Sequence, residues 1–89
     1  MRPVFYVSDG TGITTETIGH SVLAQFQGVQ YHAHRIPFVD TPEKARQTAE
    51  IIGLQQSQSG QRAVVFTSLV DAEAHTVLAA TGALMLDVL

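Results

Sequence analysis

The stretch from Val4 to Gly12, Val-Phe-Tyr-Val-Ser-Asp-Gly-Thr-Gly, constrains the fold more than any other part of the chain. Four apolar residues lead directly into a loop of small residues, and helical spacing of apolar residues continues from Ile13 to Phe26. This order predicts a strand, a tight loop and a helix. The first helical turn has unpaired backbone N–H groups, and glycines before it would let a phosphate approach them. The alternative is a structural loop, because glycine is also needed where a chain reverses tightly.

Strands and helices are predicted to alternate along the whole chain. The strands are expected at about residues 3–7, 30–36, 63–67 and 83–86, and the helices at about 13–27, 41–55 and 71–81. In the first helix the apolar stripe is Ile18, Val22 and Phe26, and Gly28 is the expected C-terminal cap. Thr41 is the expected N-cap of the second helix, which fades into a polar loop at 55–60.

This β-α-β-α-β-α-β alternation predicts an α/β fold, a three-layer parallel sheet with right-handed crossovers that is flavodoxin-like or Rossmann-like. The first and third strands are continuously apolar, as buried interior strands are. The second strand, Tyr31 to Ile36, contains several polar side chains and is expected at an edge. The predicted strand order is therefore 2-1-3-4 rather than 3-2-1-4.

Length and composition limit the kind of protein. The 89 residues suffice for one domain, residues 1–89, with one small core. The chain is 45% hydrophobic and 15% charged, which indicates neither disorder nor a membrane protein. No apolar run approaches the roughly 20 residues of a membrane-spanning helix. Met1-Arg2-Pro3 leads into the first strand without a signal-peptide segment, so a cytoplasmic protein is expected.

Charge and cysteine content exclude further classes. Five basic residues are scattered along a chain of formal net charge −3, which argues against a nucleic-acid partner. Without cysteine, these residues can form no disulfide, thiolate metal site or cysteine nucleophile. The apolar run from Ala83 to Leu89 is followed by no helix. It predicts an exposed strip that pairs with another copy or with missing sequence, as in an N-terminal fragment of a longer protein.

Each predicted loop after a strand contains an aspartate: Asp9, Asp40 and Asp71. Because ligands bind beyond the carboxyl ends of parallel strands, the three are expected to converge on one acidic site, for a divalent metal that holds phosphates or for a general base. Alternatively, Asp40 and Asp71 only begin the second and third helices, where a carboxylate caps the helix. Asp9 is separated from the first helix by Gly10-Thr11-Gly12, and Thr11 is an adequate cap by itself.

The carboxylate of Asp9 bears on the choice of ligand. The loop is similar to the FMN phosphate loop of flavodoxins, with hydroxyls at Thr11, Thr14, Thr15 and Thr17. A carboxylate about 5 Å from a phosphate costs about 3 kcal/mol per unit charge at an effective dielectric of 20. A helix N-terminus returns roughly 1–2 kcal/mol. A bare phosphate is therefore disfavoured unless Asp9 points away, is protonated or holds a metal.

Other motifs give weaker signals. His32 and His34 share one face of the edge strand, but no third ligand is near in the sequence, so no metal site is assigned to them. The P-loop pattern Gly-x-x-x-x-Gly-Lys-Ser/Thr is absent. The pattern Gly-x-Gly-x-x-Gly also fails, because position 15 is threonine.

Three segments taken together resemble one family. They are Phe5-Tyr6-Val7-Ser8-Asp9-Gly10-Thr11-Gly12-Ile13-Thr14 with Glu16-Thr17, then Pro37-Phe38-Val39-Asp40-Thr41-Pro42-Glu43-Lys44-Ala45, then Val65-Phe66-Thr67-Ser68-Leu69-Val70-Asp71. The chain resembles the N-terminal part of the regulatory proteins of phosphoenolpyruvate synthase and pyruvate, phosphate dikinase. The resemblance implies a bifunctional cytoplasmic enzyme that phosphorylates a threonine of its partner with ADP. It also implies a phosphate-dependent phosphorylase that removes the group and releases pyrophosphate.

The resemblance also implies what this chain lacks. The family's P-loop lies downstream of the matched region, so no catalytic residue is assigned and the chain is expected to be inactive alone. ADP and phosphate are the implied ligands, with magnesium possible. The motifs at 8–12 and 37–42 are expected to face substrate or nucleotide across a domain cleft. The ligand-binding candidates are Ser8, Asp9, Gly10, Thr11, Gly12, Asp40, Thr41 and Asp71.

Two other functions remain open from the sequence. One is a stand-alone α/β module that binds a nucleotide or a phosphate-containing metabolite without catalysis. The other is a purely structural or dimerising domain, which predicts no response to ligands and a concentration-dependent homo-oligomer. Binding of nucleotide to the isolated chain separates the first from the second.

Overall fold

Strands and helices alternate as expected in the computed structural model, which describes residues 1–89. The strands are β1 (Arg2–Val7), β2 (Tyr31–Ile36), β3 (Val64–Thr67) and β4 (Leu84–Asp87). The helices are α1 (Ile13–Leu23), α2 (Pro42–Ser59) and α3 (Ala72–Ala79). All neighbouring strands are parallel, and their order is β2-β1-β3-β4. The predicted α/β class and strand order 2-1-3-4 are confirmed.

The helices cover the sheet from both sides, which confirms three layers. On one face, Phe5 and Val65 of the central strands pack with Ile52 of α2 and Leu78 of α3 in the larger core cluster. On the other face α1 covers a smaller cluster of Val4, Tyr6 and Phe66. The central strands β1 and β3 are thus buried from both sides, as their continuous apolar sequences predict.

The packing face of α1 differs from the prediction. Ile18 and Val22 of the expected apolar stripe remain 37% and 36% exposed, and Phe26 lies beyond the helix end. The buried residues are Thr15 and Gly19. A Cβ on Gly19 would lie 2.5 Å from the Tyr6 ring and 2.9 Å from the Phe66 ring. The helix therefore approaches the sheet through small residues, and its larger apolar side chains lie to the side of the contact.

Two predicted helix ends were also wrong. The first helix ends at Leu23 with Ala24 as its C-cap, because the N–H groups of Gln25 and Phe26 already bond three residues back, in tighter turns. Gly28 lies further on, in the left-handed region at φ 80°.

The second helix continues through the expected polar loop to Ser59, and Gly60 is its left-handed cap. Gln56 explains this extension. Its amide oxygen accepts from the Ala63 N–H at 2.8 Å, and its amide nitrogen donates to the Thr81 carbonyl at 2.9 Å. The polar end of α2 is therefore bonded to the starts of β3 and β4.

The apolar run at the end of the chain is partly exposed, as expected. Leu84 and Leu89 are exposed, Met85 and Leu86 are half-buried, and Ala83 is buried. Pairing of this strip with another copy or with further sequence stays a prediction. None of the helices combines the length and the hydropathy needed to cross a membrane.

Candidate functional site

The loops that follow the first three strands are bonded to one another at the carboxyl edge of the sheet. The N–H groups of Phe38 and Val39 donate to the carbonyls of Gly10 and Ser8, at 2.8 and 2.9 Å. The N–H of Val70, in the third loop, donates to the Asp9 carboxylate at 3.3 Å. The first loop is therefore the centre of this arrangement, with one neighbouring loop bonded on each side.

A cavity of about 260 Å³ opens between these loops, which we call the carboxyl-edge cavity. Its lining residues are Asp9, Val39, Asp40, Thr41, Leu69, Val70, Asp71 and Ala74. The expectation that the three aspartates converge is confirmed to this extent. They do not form a group of the kind that could hold a metal ion.

Each of the three aspartates has a partner within the protein. Asp9 points away from α1, toward the third loop. Asp40 forms an ion pair with Lys44 at 3.0 Å, in which both side chains are half-exposed. Asp71 is the N-cap of α3 and accepts from the Glu73 N–H at 3.3 Å. The helix-start interpretation is thus confirmed for Asp71, whereas the cap of α2 is Thr41, which accepts from the Lys44 N–H.

The glycine loop differs from the prediction at its hydroxyls. The N-cap of α1 is Gly12, at φ 82° and without a side-chain cap, so Thr11 does not cap the helix. The Ser8 hydroxyl is buried and accepts from the Gly10 N–H at 3.0 Å. Thr15 is buried and shares a hydrogen bond of 2.6 Å with Ser68. Of the four threonines expected to offer hydroxyls, only Thr11 and Thr14 are exposed without such a bond to the protein.

Arg35 is a site residue that sequence reasoning missed. Its side-chain Cγ and Cδ lie 3.2 Å from where a Cβ on Gly12 would be, so the arginine stem covers the start of α1. No carboxylate lies within ion-pair distance of Arg35, since the only salt bridge joins Asp40 and Lys44. The alternation of side chains along β2 could have indicated this position. It places Arg35 on the same face of the sheet as Tyr31, and the strand register pairs Arg35 with Tyr6.

Phe38 is a second residue that was missed. It is half-exposed and has φ 61°, in the left-handed region that non-glycine residues seldom adopt. Its N–H bond to Gly10 and the following Val39–Ser8 bond hold this conformation. No pattern in the sequence predicts this backbone conformation, because phenylalanine seldom adopts it.

The histidines of β2 lie on one face, as expected. The rings of His32 and His34 are 5.0 Å apart, and His34 stacks on Phe5 at 5.6 Å. Both side chains are exposed, and they join no group that could hold a metal ion.

Comparison with known proteins identifies the family. The model of the kinase/pyrophosphorylase family matches residues 4–89. The chain is 53% identical over 88 residues to a phosphoenolpyruvate synthase regulatory protein of Stenotrophomonas maltophilia (strain R551-3), a match that covers 99% of this chain and 32% of that protein. Counterparts from Xanthomonas oryzae pv. oryzae and Xylella fastidiosa (strain M23) are 52% and 51% identical, with the same coverage. The chain thus spans about a third of the length of these curated relatives, and it belongs to the kinase/pyrophosphorylase family.

Proposed function

We propose that residues 1–89 are the N-terminal α/β domain of a bifunctional regulatory enzyme. The whole enzyme phosphorylates a threonine of phosphoenolpyruvate synthase or pyruvate, phosphate dikinase with ADP, and removes that phosphoryl group with inorganic phosphate. The family match over residues 4–89 supports this function, as do the names of the relatives. In this proposal the enzyme works in the cytoplasm.

The proposal assigns the chemistry of phosphoryl transfer to the part of the enzyme beyond this domain. No P-loop pattern occurs within the 89 residues, so nothing here can cradle the phosphates of ADP in that way. ADP, phosphate and any magnesium are then ligands of the complete enzyme. The domain by itself is inactive.

A role for this domain is supported by one observation: three loops are hydrogen-bonded to one another around the carboxyl-edge cavity. Val39, Leu69 and Ala74, which line it, belong to the core cluster on the α2 and α3 side of the sheet. Arg35 and the start of α1 lie on the opposite side. The carboxyl edge therefore has a negative region, at the aspartates of the cavity, and a positive region, at Arg35 and the start of α1. The Asp9 side chain is turned away from the positive region.

This separation reduces the electrostatic conflict expected from Asp9. A phosphate beside Gly12 would meet the Arg35 side chain and the first N–H groups of α1, while the Asp9 carboxylate is directed to the Val70 N–H. In our proposal this edge faces the nucleotide or the partner's threonine across a cleft, and the aspartates face the polypeptide or the catalytic domain.

Kinase and phosphorylase assays of the full-length protein test this role. Asp9→Ala, Asp40→Ala and Arg35→Gln are each expected to lower at least one of the two rates about tenfold or more. Asp9→Asn serves as a comparison, because it removes the charge and keeps an oxygen for the Val70 N–H. Glu50→Gln, on the exposed side of α2, is the matched control. Unchanged rates in all of the edge variants, with the fold intact, would contradict the proposal.

Titration of the 89-residue chain separates this function from a stand-alone binding module. We would record amide NMR spectra with ADP, AMP and phosphate, with and without magnesium. Saturable shifts centred on residues 8–12 and 40–41 mean that the domain holds part of the site by itself. A well-folded spectrum without shifts means that the site requires the rest of the enzyme.

A further inference from the structure

A second concave surface lies away from the carboxyl-edge cavity, between α1 and the edge strand β2. We call it the α1–β2 groove. It has a volume of about 590 Å³, within the range of small-molecule sites. Its lining residues are Tyr6, Glu16, Thr17, His20, Ser21, Tyr31 and Ala33.

The close approach of α1 to the centre of the sheet creates this groove. Because Gly19 lies directly against the Tyr6 and Phe66 rings, the helix contacts β1 and β3. Strand β2 lies at the edge of the sheet, outside the two strands that α1 mainly contacts, so the helix leaves much of this face of β2 open. Tyr31 and Ala33 therefore form the floor of the groove, and one side of α1 forms its wall.

The Tyr6 hydroxyl is the polar atom that points to a ligand. The side chain is only 3% exposed, and its ring stacks on Phe66 at 5.8 Å. The hydroxyl takes part in none of the protein's side-chain hydrogen bonds, and it lines the groove rather than being enclosed, since no buried side-chain oxygen lacks a partner. It is therefore free to accept a hydrogen bond from a ligand in the groove.

The charge of the groove indicates which ligand. Glu16 is its only carboxylate and has no ion-pair partner. Arg2 donates to the Arg62 carbonyl instead, and Arg35, whose stem lies over Gly12, forms no ion pair with Glu16. Burial, Tyr31 and Glu16 all raise the pKa of Tyr6, so this phenol keeps its proton at neutral pH. Apart from His20, the groove offers a cation only oxygen atoms and aromatic rings.

We propose that the α1–β2 groove binds an organic cation with a guanidinium or alkylammonium group. The Glu16 carboxylate accepts the N–H groups of the cation. The hydroxyl oxygens of Tyr6 and Tyr31 accept further hydrogen bonds, and the tyrosine rings add cation–π attraction. The guanidinium is carried either by a free small molecule or by an arginine side chain. The open edge of β2, on the same side, leaves room for an extended chain beside it.

Tyrosine fluorescence reports on this groove directly. The chain has no tryptophan, and both of its tyrosines line the groove. We would titrate the 89-residue chain with agmatine, with a capped peptide containing one arginine, and with an uncharged urea of matched length. Saturable change with agmatine or the peptide, and none with the urea, is expected. Tighter binding of the peptide would assign the guanidinium to a protein side chain, and tighter binding of agmatine to a free molecule.

Two substitutions and a matched control locate the binding. Glu16→Gln keeps the shape of an exposed side chain and removes its charge, so it should weaken binding about tenfold. Tyr6→Phe removes only the hydroxyl and should also weaken binding, with Tyr31 as the remaining fluorophore. Glu50→Gln removes a charge outside the groove and should leave binding unchanged. The proposal is overturned if no cation gives saturable change, or if Glu16→Gln and Glu50→Gln bind equally well.

Discussion

Gly19 and Tyr6 are in such close contact that a Cβ atom on Gly19 would lie 2.5 Å from Cε1 of the tyrosine ring. The Phe66 ring closes the same space from β3, with its Cγ at 2.9 Å. Both rings are buried and stacked on each other, so neither can move away easily. The absence of a side chain at position 19 thus sets the distance between α1 and the sheet.

Gly19→Ala is expected to lower the free energy of unfolding by about 1–3 kcal/mol, because α1 must move outward or the rings must leave their rotamers. Urea denaturation of the chain measures this change. Gly53→Ala is the matched control. Gly53 also lies inside a helix, but nothing lies within 4 Å of its added Cβ, so this variant should be about 0.5–1 kcal/mol more stable. Equal effects of the two substitutions would contradict this account of α1 packing.

The same contact shows what the sequence could and could not predict. The strand order follows from hydropathy, because β1 and β3 are apolar throughout and β2 is mixed. The packed side of α1 does not follow from hydropathy. Thr15 and Gly19 pack against the sheet because they are small, whereas hydropathy predicts that Ile18 and Val22 form the core face. Steric fit between helix and sheet depends on contacts between residues that are far apart in the sequence. The periodicity of one segment carries no information about such contacts.

The candidate site divides in a similar way. Convergence of the three aspartate loops follows from topology, since parallel strands end at the same edge. The direction of the Asp9 side chain depends on the Val70 N–H, 61 residues away, and the cover of Gly12 depends on Arg35 of a neighbouring strand. These contacts require the register between strands, so the sequence predicts which loops meet but not which groups face each other.

Phe38 is expected to respond to substitution in the opposite sense from Gly53. At φ 61°, a residue with a Cβ atom is strained by roughly 1–2 kcal/mol, and glycine is not. Phe38→Gly should therefore be about 1 kcal/mol more stable than Phe38→Ala, after allowance for the more flexible unfolded chain of the glycine variant. Thermal or urea unfolding of the two variants measures the difference. Gly28 has φ 80° and nothing within 4 Å of an added Cβ, so Gly28→Ala should lower the free energy of unfolding by a similar amount. An alanine variant as stable as the glycine variant at position 38 would show that the strain is absent.

Gln56 is expected to stabilise the junction of α2, β3 and β4. Gln56→Ala removes two hydrogen bonds and leaves the N–H of buried Ala63 without its partner, which should cost about 2 kcal/mol. Gln58→Ala, an exposed glutamine of the same helix, should change stability by less than about 0.5 kcal/mol. Hydrogen exchange at the Ala63 amide gives a local measurement, and it should speed up in the Gln56 variant alone. Unaltered exchange there would mean that the amide has another partner.

Tyr6 makes the stability of the chain depend on pH at the alkaline end. Burial, followed by Tyr31 and Glu16, raises the pKa of its phenol from 10.0. Below the unfolded pKa both states keep the proton, and the contribution to stability is complete. As the pH rises past about 10, the unfolded chain ionises first, so this contribution is progressively lost until the pH passes the folded pKa. Urea denaturation between pH 8 and 11 should therefore show a steeper loss of stability for the natural chain than for Tyr6→Phe, in which this proton is missing. Identical pH profiles would mean that the Tyr6 phenol ionises equally easily in both states, and so is not held out of water in the groove.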